Sequence, residues 1–235
     1  MPRRECVREH YPFLLYLHYR IVMAKHLVLV AGNIGAGKTS LTERIGQRLG
    51  WRSGYESVAD NPYLSDFYAD MHGWAFHLQV FFLGHRAEQY LEALKDPRSA
   101  ILDRSIYEDF HIFTRALHHM GNMAERDYLS YRRLFELVVA SLPPPALLVY
   151  LKAPAAVLMN RITKRARNIE TGITLEYLSL LESYYEEWLE AFDTCPVLTI
   201  RSDDLDYVHQ PRHLETVVQR IQQKLVGKEV VDLTA

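Results

Sequence analysis

Residues Ala31 to Leu41 read AGNIGAGKTSL, and within them GxxxxGKT runs from Gly32 through Asn33, Ile34, Gly35, Ala36 and Gly37 to Lys38 and Thr39. The apolar run HLVLV, His26 to Val30, lies directly upstream; downstream, Ser40, Leu41, Ile45 and Leu49 fit an amphipathic helix. Strand, glycine-rich turn and helix in that order describe a phosphate-binding loop. Glycines tolerate backbone angles closed to other residues, so consecutive N–H groups turn inward around an anion. The helix that begins at the lysine points its positive end at the same anion. The expected phosphate contacts run from Gly32 to Ser40, with Lys38 neutralising the outer phosphates and the Thr39 hydroxyl a ligand of Mg²⁺. Such a loop names the phosphate donor and is silent about the acceptor.

A chain of 235 residues suffices for one well-buried α/β domain. Apolar residues make up 49% and charged residues 24%, ordinary globular usage with no compositional signal of disorder. Lys plus Arg number 27 and Asp plus Glu 29, a formal charge of −2, so no global field recruits nucleic acid. Two cysteines, Cys6 and Cys195, suit a reducing compartment, the cytoplasm, and support neither a disulfide framework nor a cysteine zinc site. Residues 1–22 are basic and partly apolar; His18 and Arg20 interrupt the apolar stretch, which is too short to span a membrane. They read as a poorly ordered, dispensable extension, with Met23 as a natural start and 23–235 as a single domain.

Beyond the loop, β-branched apolar segments recur at 99–103 (SAILD), 146–151 (ALLVYL) and 196–200 (PVLTI), with a weaker candidate at 51–55. Helical patterns fill 62–70, 74–94, 105–119, 124–141, 154–165, 174–193 and 211–226. Strands alternating with helices predict an α/β fold with five parallel strands covered by helices on both faces. Ligands of such sheets gather at the carboxyl ends of the strands.

The segment after the 99–103 strand reads DRSIYEDF. Asp103 and Arg104 there either enter the cleft, one near the metal and one near the transferred group, or belong to an N-terminal helix cap built on Ser105 or Asp103. In WAFHLQVFFLGHR, 74–86, Gln79, Phe82 and Arg86 fall at i, i+3 and i+7 on one helix face; in the next helix Asp109 and Phe113 are i, i+4. An amide, an Arg with an Asp, and aromatic rings suit a planar heterocycle; an ordinary buried ion pair satisfies the same pattern.

Five stretches in register, ESVADNPYL (56–64), WAFHLQVFFLGHR, DRSIYEDFHIF (103–113), RITKRARNIE (161–170) and GITLEYLSLLESYYEEW (172–188), resemble the deoxynucleoside kinases, especially the bacterial deoxyadenosine and deoxyguanosine kinase branch. The resemblance spans about Lys25 to Lys224. It implies a P-loop kinase with a lid, ATP as donor, Mg²⁺, the 5′-hydroxyl of a deoxynucleoside as acceptor, and a homodimer. Glu56 looks like the general base, with Arg104 holding it and the acceptor in place and Asp103 organising the metal. Tyr68 and Glu176 match a pair on the 3′-hydroxyl; Gln79, Arg86 and Asp109 match the groups that read the base; Phe113 matches a ring stacked on it. RITKRARNIE resembles the mobile lid, and Arg161, Arg165 and Arg167 would converge on the donor phosphates. Taken alone, each of these residues also fits a plain surface or packing role.

Some positions depart from the family pattern. Ser57 follows Glu56 where many relatives have proline, and Asn61 and Asp103 stand where animal enzymes carry Trp and Glu. Arg86 with Asp109 resembles the purine-accepting arrangement, whereas the bulk of Phe82 leaves adenine, guanine and cytosine all open. Two other readings share parts of the pattern: a nucleoside monophosphate kinase such as a thymidylate kinase, and a non-catalytic nucleotide-binding subunit.

Overall fold

The computed structural model describes residues 25–55, 61–165, 172–203 and 205–225. The predicted extension 1–22, Glu56 and Arg167 lie outside the described residues, as does the part of the predicted lid at 166–171. Five strands, β1 (Leu27–Gly32), β2 (Arg52–Gly54), β3 (Ala100–Asp103), β4 (Leu147–Lys152) and β5 (Val197–Arg201), form one parallel sheet in the order β2-β3-β1-β4-β5. The weak candidate at 51–55 is a three-residue edge strand paired only with β3. The helices are α1 (Lys38–Leu49), α2 (Leu64–Ala69), α3 (Met71–Lys95), α4, α5 (Glu125–Ala140), α6 (Ala155–Arg165), α7 (Leu175–Ala191) and α8 (Pro211–Leu225). Helix α4 joins three segments, Ile106–Glu108, a π-helical Asp109–Thr114, and Arg115–His119.

All six residues of β1 are buried, as a strand covered on both faces requires. Leu27, Leu29 and Ala31 pack into the layer of α3, α4, α5 and α7, while Val28 and Val30 pack against α1, α6 and α8. Successive side chains of a strand point to opposite faces, so this alternation alone places a helical layer on each side. The expected α/β architecture is therefore the observed one.

From β1 the chain builds β2 and β3 on one side and only then crosses to β4 and β5 on the other. The order reverses beside β1, which opens a crevice at the carboxyl ends of β1 and β3. The phosphate-type loop empties into that crevice. Helix α3 begins at Met71, ahead of the expected Trp74, because the Asp70 side chain accepts from the Gly73 N–H at 3.0 Å and caps it. Its buried stripe, Ala75, Leu78, Gln79, Leu83, Arg86, Tyr90 and Ala93, carries two polar groups into an otherwise apolar seam.

Candidate active site

Between β1 and α1 the chain turns through Gly35 at φ 83° and Gly37 at φ 96°, backbone angles that L side chains rarely adopt. A Cβ at Gly37 would come within 2.2 Å of the Tyr207 hydroxyl oxygen, which accounts for glycine there on space as well as on angle. The Lys38 ammonium is buried and donates to the carbonyl oxygens of Gly32 (2.7 Å) and Asn33 (3.0 Å), so it lies folded over the loop. The Asn33 side chain ties the loop to α7 by donating to the Leu178 carbonyl at 2.9 Å.

At the end of β3 the Thr39 hydroxyl donates to Asp103 Oδ2 at 2.6 Å. The other carboxylate oxygen, Asp103 Oδ1, is buried and has no hydrogen-bond partner among the described residues. An orphaned carboxylate oxygen beside a hydroxyl is an oxygen donor set of the kind Mg²⁺ takes up. The next residue, Arg104, has φ 76°, a left-handed conformation at a non-glycine position; its N–H is held by the Val30 carbonyl at 2.9 Å. Its guanidinium carbon stands 4.5 Å from the centroid of the Phe113 ring.

A cavity of about 370 Å³ runs from this loop to the seam between α3 and α4. Lys38, Thr39, Asp103 and Arg165 line it beside the loop, and Gln79, Phe82, Arg86 and Asp109 line it at the α3–α4 seam; Arg104 and Phe113, whose side chains meet, join the two, and Tyr68 and Tyr177 also line the cavity. At the far end Arg86 Nε meets the two Asp109 carboxylate oxygens at 2.8 and 2.7 Å, with both side chains almost fully buried. A buried ion pair of this geometry fixes both side chains in place. The guanidinium also lies 5.2 Å from the Phe82 ring centroid, and Thr114 donates to Gln79 Oε1 at 3.3 Å. Burial holds the Tyr177 phenol above its ordinary pKa; Tyr68 adds to the shift and Arg104 opposes it, so the phenol is a neutral donor.

Residues 28–227 match the family model for deoxynucleoside kinases. The chain belongs to the deoxynucleoside kinase family. A Bacillus subtilis deoxyadenosine/deoxycytidine kinase is 36% identical over 197 residues, covering 83% of this chain and 91% of the relative. A deoxyguanosine kinase of the same organism is 32% identical over 205 residues, covering 85% and 97%. Among solved structures, deoxyadenosine kinase from M. mycoides with the products dCMP and a flexible dCDP superposes with TM-score 0.74 at 27% identity, covering 84% of this chain and 99% of that one. This kinase is thus an ATP-dependent phosphotransferase acting on deoxynucleosides.

For this deoxynucleoside kinase the structure gathers most of the residues singled out in the sequence around one cavity. Of these, two charged side chains among the described residues do not line it. Glu176 is exposed in the first turn of α7, and its carboxylate, held below the usual range by backbone and Thr174 hydrogen bonds, serves the helix end. The inward positions of that turn are taken by Tyr177, which lines the cavity, and Leu178, which is buried. Arg161 likewise fails to join Arg165: it donates to the Ser202 carbonyl at 2.6 Å, beyond the end of β5.

The two readings of DRS prove compatible. Ser105 Oγ caps the start of α4 by accepting from the Tyr107 N–H at 3.1 Å, while Asp103 and Arg104 face the cavity. Sequence reasoning missed Glu108, Thr114 and Tyr177. The pattern Ser105-x-x-Glu108 was the available signal for the first, being that of a capping box.

Proposed function

We propose that this kinase transfers the γ-phosphate of ATP to the 5′-hydroxyl of a purine deoxynucleoside, deoxyadenosine first and deoxyguanosine next, with deoxycytidine a weaker substrate. The observation that carries the reading is the buried Arg86–Asp109 pair beside Gln79, at the opposite end of one cavity from Lys38 and Thr39. A guanidinium, a carboxylate and an amide at fixed positions offer donors and acceptors to the edge of a planar base. Phe113 supplies a face for stacking. The names of the relatives, deoxyadenosine/deoxycytidine kinase and deoxyguanosine kinase, support the same class of acceptor.

In this reading Glu56 takes the 5′-hydroxyl proton as the 5′-oxygen forms its bond to the γ-phosphorus and the bond to the β-phosphate oxygen breaks, releasing ADP. Lys38 and the backbone N–H groups of 32–40 hold the donor phosphates, and Arg104 steadies the transferred group. Arg165 adds a cation from the end of α6. Thr39 and Asp103 would hold Mg²⁺, which offsets phosphate charge when bound.

The apolar side chains Val80 and Leu91 on α3 and Leu129, Leu134 and Leu137 on α5 are exposed, Leu137 by 71%, and support a homodimer through this surface. A solution mass of twice 27.4 kDa is expected, and a strict monomer at micromolar concentration would refute the pairing. No helix among the described residues is long and apolar enough to cross a membrane.

The test is a panel of the four deoxynucleosides, their ribose counterparts and deoxyadenosine monophosphate with Mg-ATP, reading kcat/KM for each. Purine deoxynucleosides should lead. Preference for the monophosphate would replace this reading with a nucleoside monophosphate kinase, and no turnover at all would leave a binding subunit.

A further inference from the structure

Glu108 stands apart from the groups used so far. It is fully buried, and it points at the back of the site rather than into the cavity. Its Oε1 accepts from the Gly32 N–H at 3.1 Å and from the Tyr185 hydroxyl at 2.5 Å; its Oε2 accepts from the Ser105 N–H at 2.6 Å. The Arg104 guanidinium approaches Oε1 at 3.8 Å. Every neighbour in this set is a donor, an arrangement that suits the two acceptor oxygens of a carboxylate and no other side chain of that length.

The four partners belong to different parts of the machine. Gly32 opens the phosphate loop, Arg104 and Ser105 form the turn after β3, and Tyr185 belongs to α7. A helix cap needs only the Ser105 contact. The Gly32 contact crosses to the neighbouring strand, from a residue 76 positions away, and has no part in capping. Arg104, moreover, holds a backbone angle that costs free energy and persists only where its surroundings over-determine it.

We propose that Glu108 is a positioning residue: its carboxylate clamps the first residue of the phosphate loop to the turn that carries Arg104, holding donor cradle and transfer-stabilising cation in one register. This rests on the reading of Arg104 and the loop given above. Tyr185 braces the carboxylate from the far side, its phenol kept neutral by burial and by Glu108 itself. The ends of β1 and β3 alone do not fix the site, because hydrogen bonds along a sheet leave the loops beyond it free to shift.

The test uses full-length protein and the parent's best deoxynucleoside with Mg-ATP, so that failure of the parent to turn over would strike the functional reading and not this one. Glu108→Gln presents an N–H₂ to one of the N–H donors and should lower kcat about 10²-fold, the size of effect that follows displacement of a reacting group by about 1 Å. It should also raise KM for ATP. Ser105→Ala removes the other half of the cap but keeps the backbone N–H that the clamp uses; it should lower Tm while lowering kcat far less than Glu108→Gln does. Tyr185→Phe, which keeps the ring, should reduce kcat several-fold. A merely structural Glu108 would lower Tm in Glu108→Gln and leave kcat, measured well below that Tm, within twofold of the parent; that result would overturn the proposal. If Glu108→Gln does not fold, parental kcat and KM for ATP in Tyr185→Phe would overturn it.

Discussion

The two ends of the cavity are built by different means. In the proposed reading the phosphate end rests mainly on nine successive residues, 32–40, many of whose groups are backbone N–H groups, with Arg104 and Arg165 added from elsewhere in the chain. At the base end every group is a side chain, and the central pair, Arg86 and Asp109, joins two helices across 23 positions of sequence. The backbone cradle reads charge and is indifferent to which base the nucleotide carries. The side-chain end reads shape and hydrogen bonding, so it can be retuned by substitution without touching the transfer machinery. What joins the two ends is the short turn 103–105 with α4 behind it, which brings Asp103, Arg104, Asp109 and Phe113 to the wall of one cavity, the first two for the phosphates and the last two for the base in the proposed reading.

If the ends are separable, variants should divide into those that lower turnover for all acceptors and those that reorder the acceptors. The largest effect belongs to the transfer end. Glu56→Gln is expected to lower kcat by about 10² to 10⁴ while KM for ATP stays nearly constant, the usual size of a general-base contribution. Stopped-assay kinetics with saturating ATP would show it, and parental turnover would remove Glu56 from the mechanism.

Next comes the ion pair. Arg86→Ala removes the cationic partner of a buried carboxylate, Asp109, and breaking a buried ion pair from one side costs about 3 to 5 kcal/mol. Combining Arg86→Met with Asp109→Ala removes both charges and should restore part of that stability, because the cost of the single change lies largely in a buried charge that has lost its counter-charge. Urea midpoints for the parent, Arg86→Met, Asp109→Ala and the double variant decide this; a loss in the double equal to the sum of the two single losses would mean that the two side chains are not coupled.

The smallest effect concerns α4 itself. His111 sits on the same π-helical segment as Asp109 but packs against Trp188 and Phe135. Burial, reinforced by Arg115, lowers its pKa to about 4. The unfolded chain therefore takes up a proton near the ordinary histidine value of 6.5 while the folded protein does not. Stability from this residue is present above pH 6.5 and is lost as pH falls toward 4, by about 2 kcal/mol once partial exposure is allowed for. Tm measured from pH 7 to pH 4 should fall less steeply in His111→Phe than in the parent. Parallel curves would show that the histidine is not a source of acid lability.

The same contrast between the two ends governs how much was legible in the sequence. The cradle is local: strand, glycines and helix adjoin one another, so the order of residues already states the geometry. The sheet was legible for a related reason, since buried β-branched runs are short-range signals, and even the weak 51–55 segment forms an edge strand. The base end was legible in part. Helical spacing put Gln79, Phe82 and Arg86 on one face, but that they meet Asp109 depends on how α3 crosses α4. Helix α4 departs from a plain α-helix at Asp109–Thr114, where the Arg115 N–H reaches the Phe110 carbonyl, five residues back; no residue pattern in HIF announces that bond. Two charged positions stay outside the cavity: Arg161, singled out by its spacing from Arg165, and Glu176, singled out only by the family resemblance. Arg161 and Arg165 are one turn apart, yet the Ser202 carbonyl, 41 positions away, captures the first. Glu176 is one residue from Tyr177, and a single step along a helix is enough to turn a side chain from cavity to solvent.

The central claim is that acceptor choice resides in the Arg86–Asp109 end and transfer in the loop end of one shared cavity. The direct test is the acceptor panel run on the parent and on the Arg86→Met/Asp109→Ala variant, with kcat/KM for each deoxynucleoside and KM for ATP. The account predicts that the parent favours deoxyadenosine, that the variant shifts toward pyrimidine deoxynucleosides, and that KM for ATP is the same in both. An unchanged ranking of deoxynucleosides in the variant would contradict it.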